Sequence, residues 1–254
     1  MNGQTLTHLD LFSGVGGFAL AAGWAGFRTI AFCEIEPFCR AGLKRAWPSV
    51  PIENDVRQFS GARWRGCTLI TAGVPCQPVS RAGLQRGVRD DRWLWPDALR
   101  VVSEAGPAWA IFENPLGLED VGLDGIISDL EGIGYEVGPP LEIPACAVNA
   151  PHRRQRIWLV AHSASYRREG RPSIAESTPA RWAYPPSPGR GFWGSDAWVL
   201  SERGEKRRIK SGVHGMAYGV SRGLLRALGN AIVPQVAYEI IRAIAEIEKG
   251  ANDA

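Results

Sequence analysis

Short apolar runs alternate with helix-like stretches through the first 160 residues, and this alternation limits what the chain can fold into. The predicted strands are His8–Phe12, Thr29–Cys33, Thr68–Ala72, Trp109–Phe112 and Ile157–Ala161. The predicted helices are Phe18–Trp24, Phe38–Trp47, Trp95–Glu104 and Leu123–Ile133. Strands that alternate with helices are typical of α/β domains, in which helices cover a largely parallel sheet. We therefore predict an α/β fold with such a sheet.

The alternation stops after residue 162. Residues 163–222 are rich in Pro, Gly, Ser and Arg and show no long periodic element, which predicts a small irregular second domain. Beyond them, Leu224–Leu228 and Val233–Ile247 are predicted to be helical. The second of these helices carries one apolar stripe, formed by Val236, Ile240, Ile241 and Ile244. Such a stripe predicts that the helix packs back onto the α/β domain.

Composition excludes several classes of protein. Hydrophobic residues make up 45% of the chain and charged residues 22%, as in ordinary globular domains. No apolar run reaches the roughly 18 residues that span a membrane, and the N-terminus does not resemble a secretory signal. The five cysteines form no CxxC pair and the four histidines show no ligand spacing. We therefore expect reduced thiols in a cytoplasm and no metal site.

The net charge of +3 is unevenly distributed. Residues 163–222 contain eleven Lys or Arg and five Asp or Glu, a net charge of +6, which leaves −3 for the rest of the chain. A basic segment on a nearly neutral body favours a surface that binds a polyanion. A solvated loop is the alternative, because runs of charge usually have that structure.

A glycine-rich turn, Asp10-Leu-Phe-Ser-Gly-Val-Gly-Gly17, joins the first predicted strand to the first predicted helix. Glycines let a backbone approach a ligand closely, and the start of a helix offers free N–H groups. Glu34 follows the second strand, 20 residues after Gly14, where an acid can bind ribose hydroxyls. Asp55 is a second acid at a position of this kind, after a strand. Alone, the glycine-rich turn is about as well explained by a plain tight turn that binds no ligand. Together with the two acids, it indicates a cofactor that contains adenosine.

Cys76 lies in the segment Gly73-Val-Pro-Cys-Gln-Pro-Val-Ser80, directly after a predicted strand. This position is at the carboxyl end of the sheet, where α/β proteins bind ligands. A single cysteine is usually a buried structural residue. The flanking prolines argue against a core strand, because they cannot donate its hydrogen bonds. Cys76 is therefore a candidate nucleophile, a role that requires exposure and a lowered pKa.

Charged residues occur at the ends of two more predicted strands. Phe112-Glu-Asn-Pro115 places Glu113 at the same sheet edge, with a helix N-cap or a surface charge as the alternative. His152-Arg-Arg-Gln-Arg-Ile-Trp158 leads into an apolar strand. Within a strand, Arg154 and Arg156 would share a face and would need an anionic or polar partner.

The order of these motifs resembles the cytosine-C5 DNA methyltransferase family. Two further segments, Arg89-Asp-Asp-Arg-Trp-Leu-Trp95 and Gly229-Asn-Ala-Ile-Val-Pro234, are also similar to family motifs. The resemblance covers residues 7–161 and 224–247 and implies a Rossmann-like sheet that is dependent on S-adenosylmethionine. The implied domains are a catalytic and cofactor-binding domain (1–162), a small target recognition region (163–222) and a segment that returns to the catalytic domain (223–254).

The resemblance implies roles for the matching residues around the cofactor. Phe12, Gly14 and Gly16 would shape the pocket for S-adenosylmethionine. Glu34 would hold the ribose and Asp55 the adenine amino group. The adenine faces would contact Ile35 and Leu94, and Asn230 would close the methionine side.

The resemblance also implies the roles of the catalytic residues. Cys76 would attack C6 of a cytosine that has left the duplex stack, while Glu113 holds N3 and the amino group. Arg156, with Arg154, would grip the base. The expected activity is methyl transfer to C5 of cytosine in double-stranded DNA, by a monomer in a prokaryotic or phage-encoded system. Such a protein would be cytoplasmic and nucleoid-associated and would take part in restriction–modification.

The densest basic stretch of the predicted recognition region is Arg203-Gly-Glu-Lys-Arg-Arg-Ile-Lys210. We expect it to face DNA across a cleft from Cys76, where its cations would contact phosphates and position the duplex rather than read bases. The residues concerned are Lys206, Arg207, Arg208 and Lys210. A solvated loop remains the alternative here also.

The sequence departs from the family pattern in ways that keep three further functions open. Proline replaces the usual valine at Pro115, His152 replaces a glutamine, and Val79 stands where phenylalanine is common. The recognition region is also short, which would suit methylation of tRNA instead of DNA. The second possibility is a catalytically silent DNA-binding relative, and the third is a related C5 chemistry with an altered one-carbon donor.

Overall fold

The structure is a computed structural model, and it describes residues 5–75, 93–116, 118, 122–150, 152–166 and 230–250, with the backbone of two strands at 197–200 and 206–209. These residues form a sheet of eight strands, a separate pair of strands and five α-helices. The strands of the large sheet are β1 (Thr7–Leu11), β2 (Arg28–Cys33), β3 (Ile52–Glu53), β4 (Leu69–Ala72), β5 (Trp109–Pro115), β6 (Tyr135–Val137), β7 (Leu141–Ile143) and β8 (Arg156–Ser163). The helices are α1 (Gly17–Trp24), α2 (Pro37–Ala46), α3 (Trp95–Ala105), α4 (Leu123–Gly132) and α5 (Pro234–Gly250).

Five neighbouring strands, in the order β3-β2-β1-β4-β5, are parallel. β8 runs antiparallel to β5, and β6 and β7 pair with successive parts of the far side of β8. Parallel neighbours need crossover connections, which are usually helical. Helices α1, α2 and α3 lie in the connections that lead to β2, β3 and β5. The predicted α/β fold with a largely parallel sheet is confirmed.

Local sequence accounts for the limits of helix α3. Pro96 lies in its first turn, where the missing N–H has no intrahelical partner to lose. The helix ends at Ala105, and the following Gly106 has a left-handed φ of 54° and donates its N–H to the carbonyl of Val102 at 2.9 Å. Glycine adopts this conformation without the steric cost that a side chain imposes. Strand β5 begins three residues after this glycine, at Trp109.

Two hydrophobic clusters cover the two faces of the sheet. Successive strand residues face opposite sides, so Ile70 lies in a cluster with residues of α3 and α4. Its neighbour Leu69 lies in another cluster, with residues of α1 and α5. The members from α5 include Val236, Ile240, Ile241 and Ile244. The predicted packing of the C-terminal helix onto the α/β domain is thereby confirmed.

The structure adds elements that the sequence did not predict. Strands β3, β6 and β7 are two or three residues long, too short for a periodic pattern. Within the segment predicted to be irregular, β9 (Ala197–Leu200) pairs antiparallel with β10 (Lys206–Ile209). Part of the basic run is therefore a strand, and the loop alternative does not describe these four residues. The predicted helix at 224–228 lies outside the described residues, and the three-part division of the chain stays a prediction.

None of the helices in the described part of the chain is both long and apolar enough to cross a lipid bilayer.

Candidate active site

The carboxyl ends of the parallel strands lie side by side. Leu11 at the end of β1 is level with Cys33 of β2 and with Ala72 of β4. Cys33 is level with Glu53 of β3, and Ala72 with Phe112 of β5. The glycine-rich turn, Glu34, Asp55, the segment that leads to Cys76, and Glu113 follow these positions. One edge of the sheet thus brings together five motifs that are far apart in the sequence.

The glycine-rich turn has left-handed backbone at Phe12, Gly14 and Gly16, with φ values of 53°, 54° and 85°. A Cβ placed on Gly14 would meet no atom within 4 Å, so this residue faces open space. A Cβ on Gly16 would lie 2.6 Å from the ring of Trp47. Gly16 is therefore required for packing, whereas Gly14 leaves room for a ligand.

Glu34 is fixed beside this open space. Its Oε2 accepts a hydrogen bond from the N–H of Gly14 at 2.6 Å, and its Oε1 accepts one from the N–H of Glu36 at 2.7 Å. The guanidinium of Arg40 donates to the carbonyl oxygens of Glu34 and Ile35, which holds the backbone after β2 in place. The residue Ile35 is 56% exposed although it is apolar. A buried carboxylate next to an exposed apolar side chain fits a ribose next to a flat ring.

Asp55 is paired with Arg57, a residue that the sequence did not single out. Both carboxylate oxygens accept hydrogen bonds from this guanidinium, the shortest 2.7 Å from Oδ2 to Nη2. The hydrogen bonds from Arg57 hold the pKa of Asp55 below its usual range. The sequence signal was a basic residue two positions after the acid. The predicted contact of Asp55 with an adenine amino group stays a prediction.

Two other residues predicted to contact the cofactor lie in the segments that precede α3 and α5. Leu94 precedes α3 and packs, half-buried, against the larger hydrophobic cluster with Phe12. Asn230 is exposed and precedes the segment that leads into α5. In this segment, Cγ1 of Ile232 lies 2.6 Å from the place where a Cβ on Gly17 would stand. The C-terminal segment thus rests on the start of α1, next to the glycine-rich turn.

Glu113 is almost fully buried near the end of β5. Its Oε1 lies 2.9 Å from Nε of Arg156. Burial raises the pKa of Glu113 to about 7, although the charges of Arg156 and Arg154 act in the opposite direction. A carboxyl group with this pKa exchanges a proton near neutral pH. β5 continues through Pro115, opposite Arg156, so the proline does not separate Glu113 from its arginine.

Asn114 holds the segment that leads to Cys76. Its Nδ2 donates to the carbonyl of Val74 at 2.8 Å, and both residues are buried. Oε2 of Glu113 lies 3.8 Å from the position of a Cβ on Gly73. The start of this segment therefore passes beside Glu113. Cys76 itself lies outside the described residues. Asn114 was not among the predicted site residues, and its only sequence signal was its place at the end of the strand.

The two arginines differ from their predicted arrangement. β8 begins at Arg156, and Arg154 precedes it with a left-handed φ of 32°. The prediction that the two share a strand face is therefore wrong, because the chain turns before the strand begins. Nη2 of Arg154 donates to the carbonyl of Ala231 at 2.6 Å, whereas Arg156 pairs with Glu113.

The described cysteines differ in accessibility. Cys33, Cys39 and Cys67 are buried, and Cys146 is exposed. Burial raises the pKa of the thiols of Cys33 and Cys67 to about 12, which makes them poor nucleophiles at neutral pH.

A buried polar network lies within the sheet, below the site. The hydroxyl of Thr71 donates to Oδ1 of Asp10 at 2.9 Å and lies 2.8 Å from Nε2 of His8. Nδ1 of His8 lies 3.0 Å from the hydroxyl of Thr29. Burial raises the pKa of Asp10 to about 8 and lowers that of His8 to about 3, so both side chains are uncharged at neutral pH. The network ties together β1, β2 and β4 directly below the glycine-rich turn.

Comparison with known proteins decides the family of the chain. The family model of C-5 cytosine-specific DNA methylases matches residues 6–188. The chain belongs to this family. The match includes the glycine-rich turn, Glu34, Glu113 and the two arginines, which the sheet edge brings together.

Relatives of this chain are named type II methyltransferases. It is 43% identical over 165 residues to M.NgoMIV of Neisseria gonorrhoeae, a match that covers 63% of this chain and 53% of the relative. It is 34% identical over 164 residues to M.AplI of Arthrospira platensis, with 63% and 47% covered. The chain thus spans about half the length of these relatives.

A solved structure shares the fold. The Dnmt2 methyltransferase of S. pombe superimposes with a TM-score of 0.54 at 22% identity, over 67% of this chain and 54% of that one. At this identity the similarity describes the fold alone, and it agrees with the Rossmann-like methyltransferase sheet expected from the sequence.

Proposed function

We propose that this chain transfers a methyl group from S-adenosylmethionine to C5 of cytosine in DNA, with Cys76 as the covalent nucleophile. The observation that carries the proposal is the position of Glu113. It is a buried carboxyl group, held by Arg156, next to the segment that leads to Cys76. The family membership and the type II methyltransferase names of the relatives support the same activity.

The chemistry requires a nucleophile and a proton donor on the same base. C5 of cytosine reacts poorly until a thiolate adds to C6, because only then does the ring become an electron-rich enamine. Addition of the thiolate places negative charge on the ring, and a proton donated to N3 neutralises this charge. Glu113, with its pKa near 7, can hold that proton at neutral pH. Loss of the C5 proton after methylation then breaks the bond to Cys76 and restores the aromatic ring.

Residues at the crevice beside β1 and β2 fit the proposed cofactor. Gly14 leaves open space, Glu34 presents a fixed carboxylate and Ile35 an exposed apolar side chain. When bound, S-adenosylmethionine would supply an electrophilic methyl group on its sulfonium. Glu34 and Asp55 would accept hydrogen bonds from the ribose and the adenine amino group.

DNA is the proposed substrate, and the base must leave the duplex to reach a site at this sheet edge. The excess of +6 in residues 163–222 would contribute phosphate contacts. Strand β10 contains Lys206, Arg207 and Arg208, and Lys210 follows just beyond it. The type II names of the relatives favour a role in the restriction–modification system of a prokaryote or phage.

The test is a labelled-methyl transfer assay that compares mixed-sequence duplex DNA with tRNA, followed by bisulfite mapping of the product. We expect transfer to duplex DNA, with no transfer by Cys76→Ser. Cys146→Ser is the matched control, because Cys146 is exposed and lies outside the proposed site, and it should retain activity. Transfer to tRNA alone would establish the alternative substrate, and DNA binding without transfer would establish the silent relative.

A further inference from the structure

The segment just before α5 contacts both the glycine-rich turn and the arginine segment that precedes β8. Ile232 packs against Gly17 at the start of α1, where a Cβ would come within 2.6 Å of it. The carbonyl of its neighbour Ala231 accepts a hydrogen bond from Nη2 of Arg154 at 2.6 Å. Two adjacent residues of this segment therefore contact the glycine-rich side of the crevice and the segment that leads into β8.

Arg154 and Arg156 make different close contacts, although the charge of each also acts on Glu113. Arg156 pairs with Glu113, on the side where the base would bind. Arg154 is bonded to Ala231, on the side where the cofactor would bind. The left-handed φ of 32° at Arg154 turns the chain between the two guanidinium groups. An arginine adopts this conformation at a cost in free energy, which surrounding contacts must offset.

We propose that Arg154 is a positioning residue that couples occupation of the cofactor crevice to the site of the target base. Contacts link Gly17 to Ile232, and the neighbouring Ala231 to Arg154. Arg156 lies two residues further along the chain, and its guanidinium contacts Glu113. A ligand that fixes the segment next to Gly17 would also fix Arg154 through its hydrogen bond to Ala231. Arg154 would in turn fix the backbone that positions the side chain of Arg156. The inference rests on the proposed function, because it assigns the two sides of the site to a cofactor and a base.

Thermodynamic coupling gives the proposal a measurable form. If cofactor binding tightens DNA binding by some factor, DNA must tighten cofactor binding by the same factor. A residue that only grips the base would change DNA affinity equally with and without cofactor. A residue that couples the two sides would change the ratio of the two affinities.

The first measurement needs neither ligand. Hydrogen exchange of the amides in residues 230–237 is compared between wild type, Arg154→Ala and Arg153→Ala. Arg153 is the matched control, because it is the adjacent arginine and is exposed. We expect exchange about tenfold faster in this segment for Arg154→Ala, and unchanged exchange for Arg153→Ala, since a lost hydrogen bond of this kind changes an opening equilibrium by about that factor. Equal exchange in all three proteins would overturn the contact on which the proposal depends.

The second measurement is the affinity for a mixed-sequence duplex with and without saturating S-adenosylhomocysteine. We expect wild type and Arg153→Ala to bind DNA about fivefold or more tightly with this ligand, a typical size for coupling between sites. In Arg154→Ala the ratio should fall to about one. Should that variant fail to fold, Arg154→Gln takes its place with the same expected ratio, because its side chain is too short to reach Ala231.

An unchanged ratio in the folded Arg154 variant would overturn the proposal, as would a wild type that binds both ligands without coupling. A wild type that couples the two ligands but transfers no methyl group to DNA would overturn the proposed function and leave the coupling role intact. A wild type that binds neither ligand would overturn both. The exchange measurement, which uses the protein alone, would then still report whether Arg154 holds the segment.

Discussion

Oε1 of Glu113 lies 2.9 Å from Nε of Arg156, across the antiparallel pairing of β5 and β8. The other carboxylate oxygen, Oε2, lies beside Gly73, on the segment that leads to Cys76. One oxygen is thus fixed by the arginine, while the other faces the expected place of the reaction. Among the described residues, Arg156 orients this buried acid through one of its two oxygens.

We predict that Glu113→Gln lowers the rate of methyl transfer by about 10²–10⁴, the usual contribution of a general acid. Glutamine has the same shape but cannot exchange a proton with the base. The rate is measured with labelled cofactor on duplex DNA, and the fold is checked by circular dichroism. Glu142→Gln is the control, because Glu142 is exposed on strand β7, which pairs with β8 and not with β5. A Glu113→Gln rate within a factor of two of wild type would exclude the acid from the chemistry.

The pKa of Glu113 predicts how activity depends on pH. Burial raises this pKa to about 7, and the acid must carry its proton to share it with N3. The value of kcat/KM should therefore fall as the pH rises above about 7, by about tenfold per pH unit, because only the protonated fraction of the free enzyme reacts. The same profile for Glu113→Gln should lack this decline. A decline that persists in the variant would assign it to another group.

The glycine-rich turn offers a matched pair of substitutions. Gly14→Ala places a methyl group in open space and should cost about 1–2 kcal/mol of folding stability, from the left-handed backbone alone. It should nevertheless weaken cofactor binding, because the methyl group enters the crevice. Gly16→Ala should destabilise the fold more, since its Cβ would meet Trp47 at 2.6 Å. Urea unfolding and calorimetry with S-adenosylmethionine measure both effects, and equal affinity of Gly14→Ala and wild type would contradict the assignment.

Much of this fold follows from patterns that are local in sequence. Buried runs such as Leu69–Ala72 fill a strand from end to end, and apolar stripes define α3 and α5. Strands such as Ile52–Glu53 are too short to show any period, so their existence depends on pairing with a neighbour. The left-handed backbone at Arg154 has no sequence signal either, because nothing distinguishes this arginine from one in a strand.

In the site, the positions of the residues were predictable from the sequence, but their contacts were not. Motif order placed Glu34 and Glu113 at the end of the correct strands, because a parallel sheet brings its carboxyl ends to one edge. The partners of these residues were not predictable. The contact of Glu113 with Arg156 depends on how β5 and β8 pair, and that of Asn114 with Val74 on how two strand ends are spaced. The pairing of Asp55 with Arg57 is local, but an exposed basic residue so close in sequence has many other possible roles.

The buried network below the turn predicts unequal effects of two threonines. Thr71→Val should lower the free energy of unfolding by about 2–4 kcal/mol, because it leaves Nε2 of His8 and Oδ1 of Asp10 buried without this partner. Thr29→Val removes only the partner of Nδ1 and should cost about 1–2 kcal/mol. Urea unfolding at neutral pH measures both. If Thr71→Val costs no more than Thr29→Val, the hydroxyl of Thr71 does not bridge the two side chains.

The identity of the nucleophile is the central claim, and a duplex that carries 5-fluorocytosine tests it most directly. Fluorine cannot leave as the C5 proton does, so a methylated base should remain bonded to the thiol that attacked C6. A mixed-sequence duplex avoids the need to know the recognition site. With S-adenosylmethionine, wild type and Cys146→Ser should form a protein–DNA adduct that survives denaturation, and peptide mapping should locate it at Cys76. Absence of an adduct from wild type, an adduct at another cysteine, or an adduct formed by Cys76→Ser would contradict this mechanism.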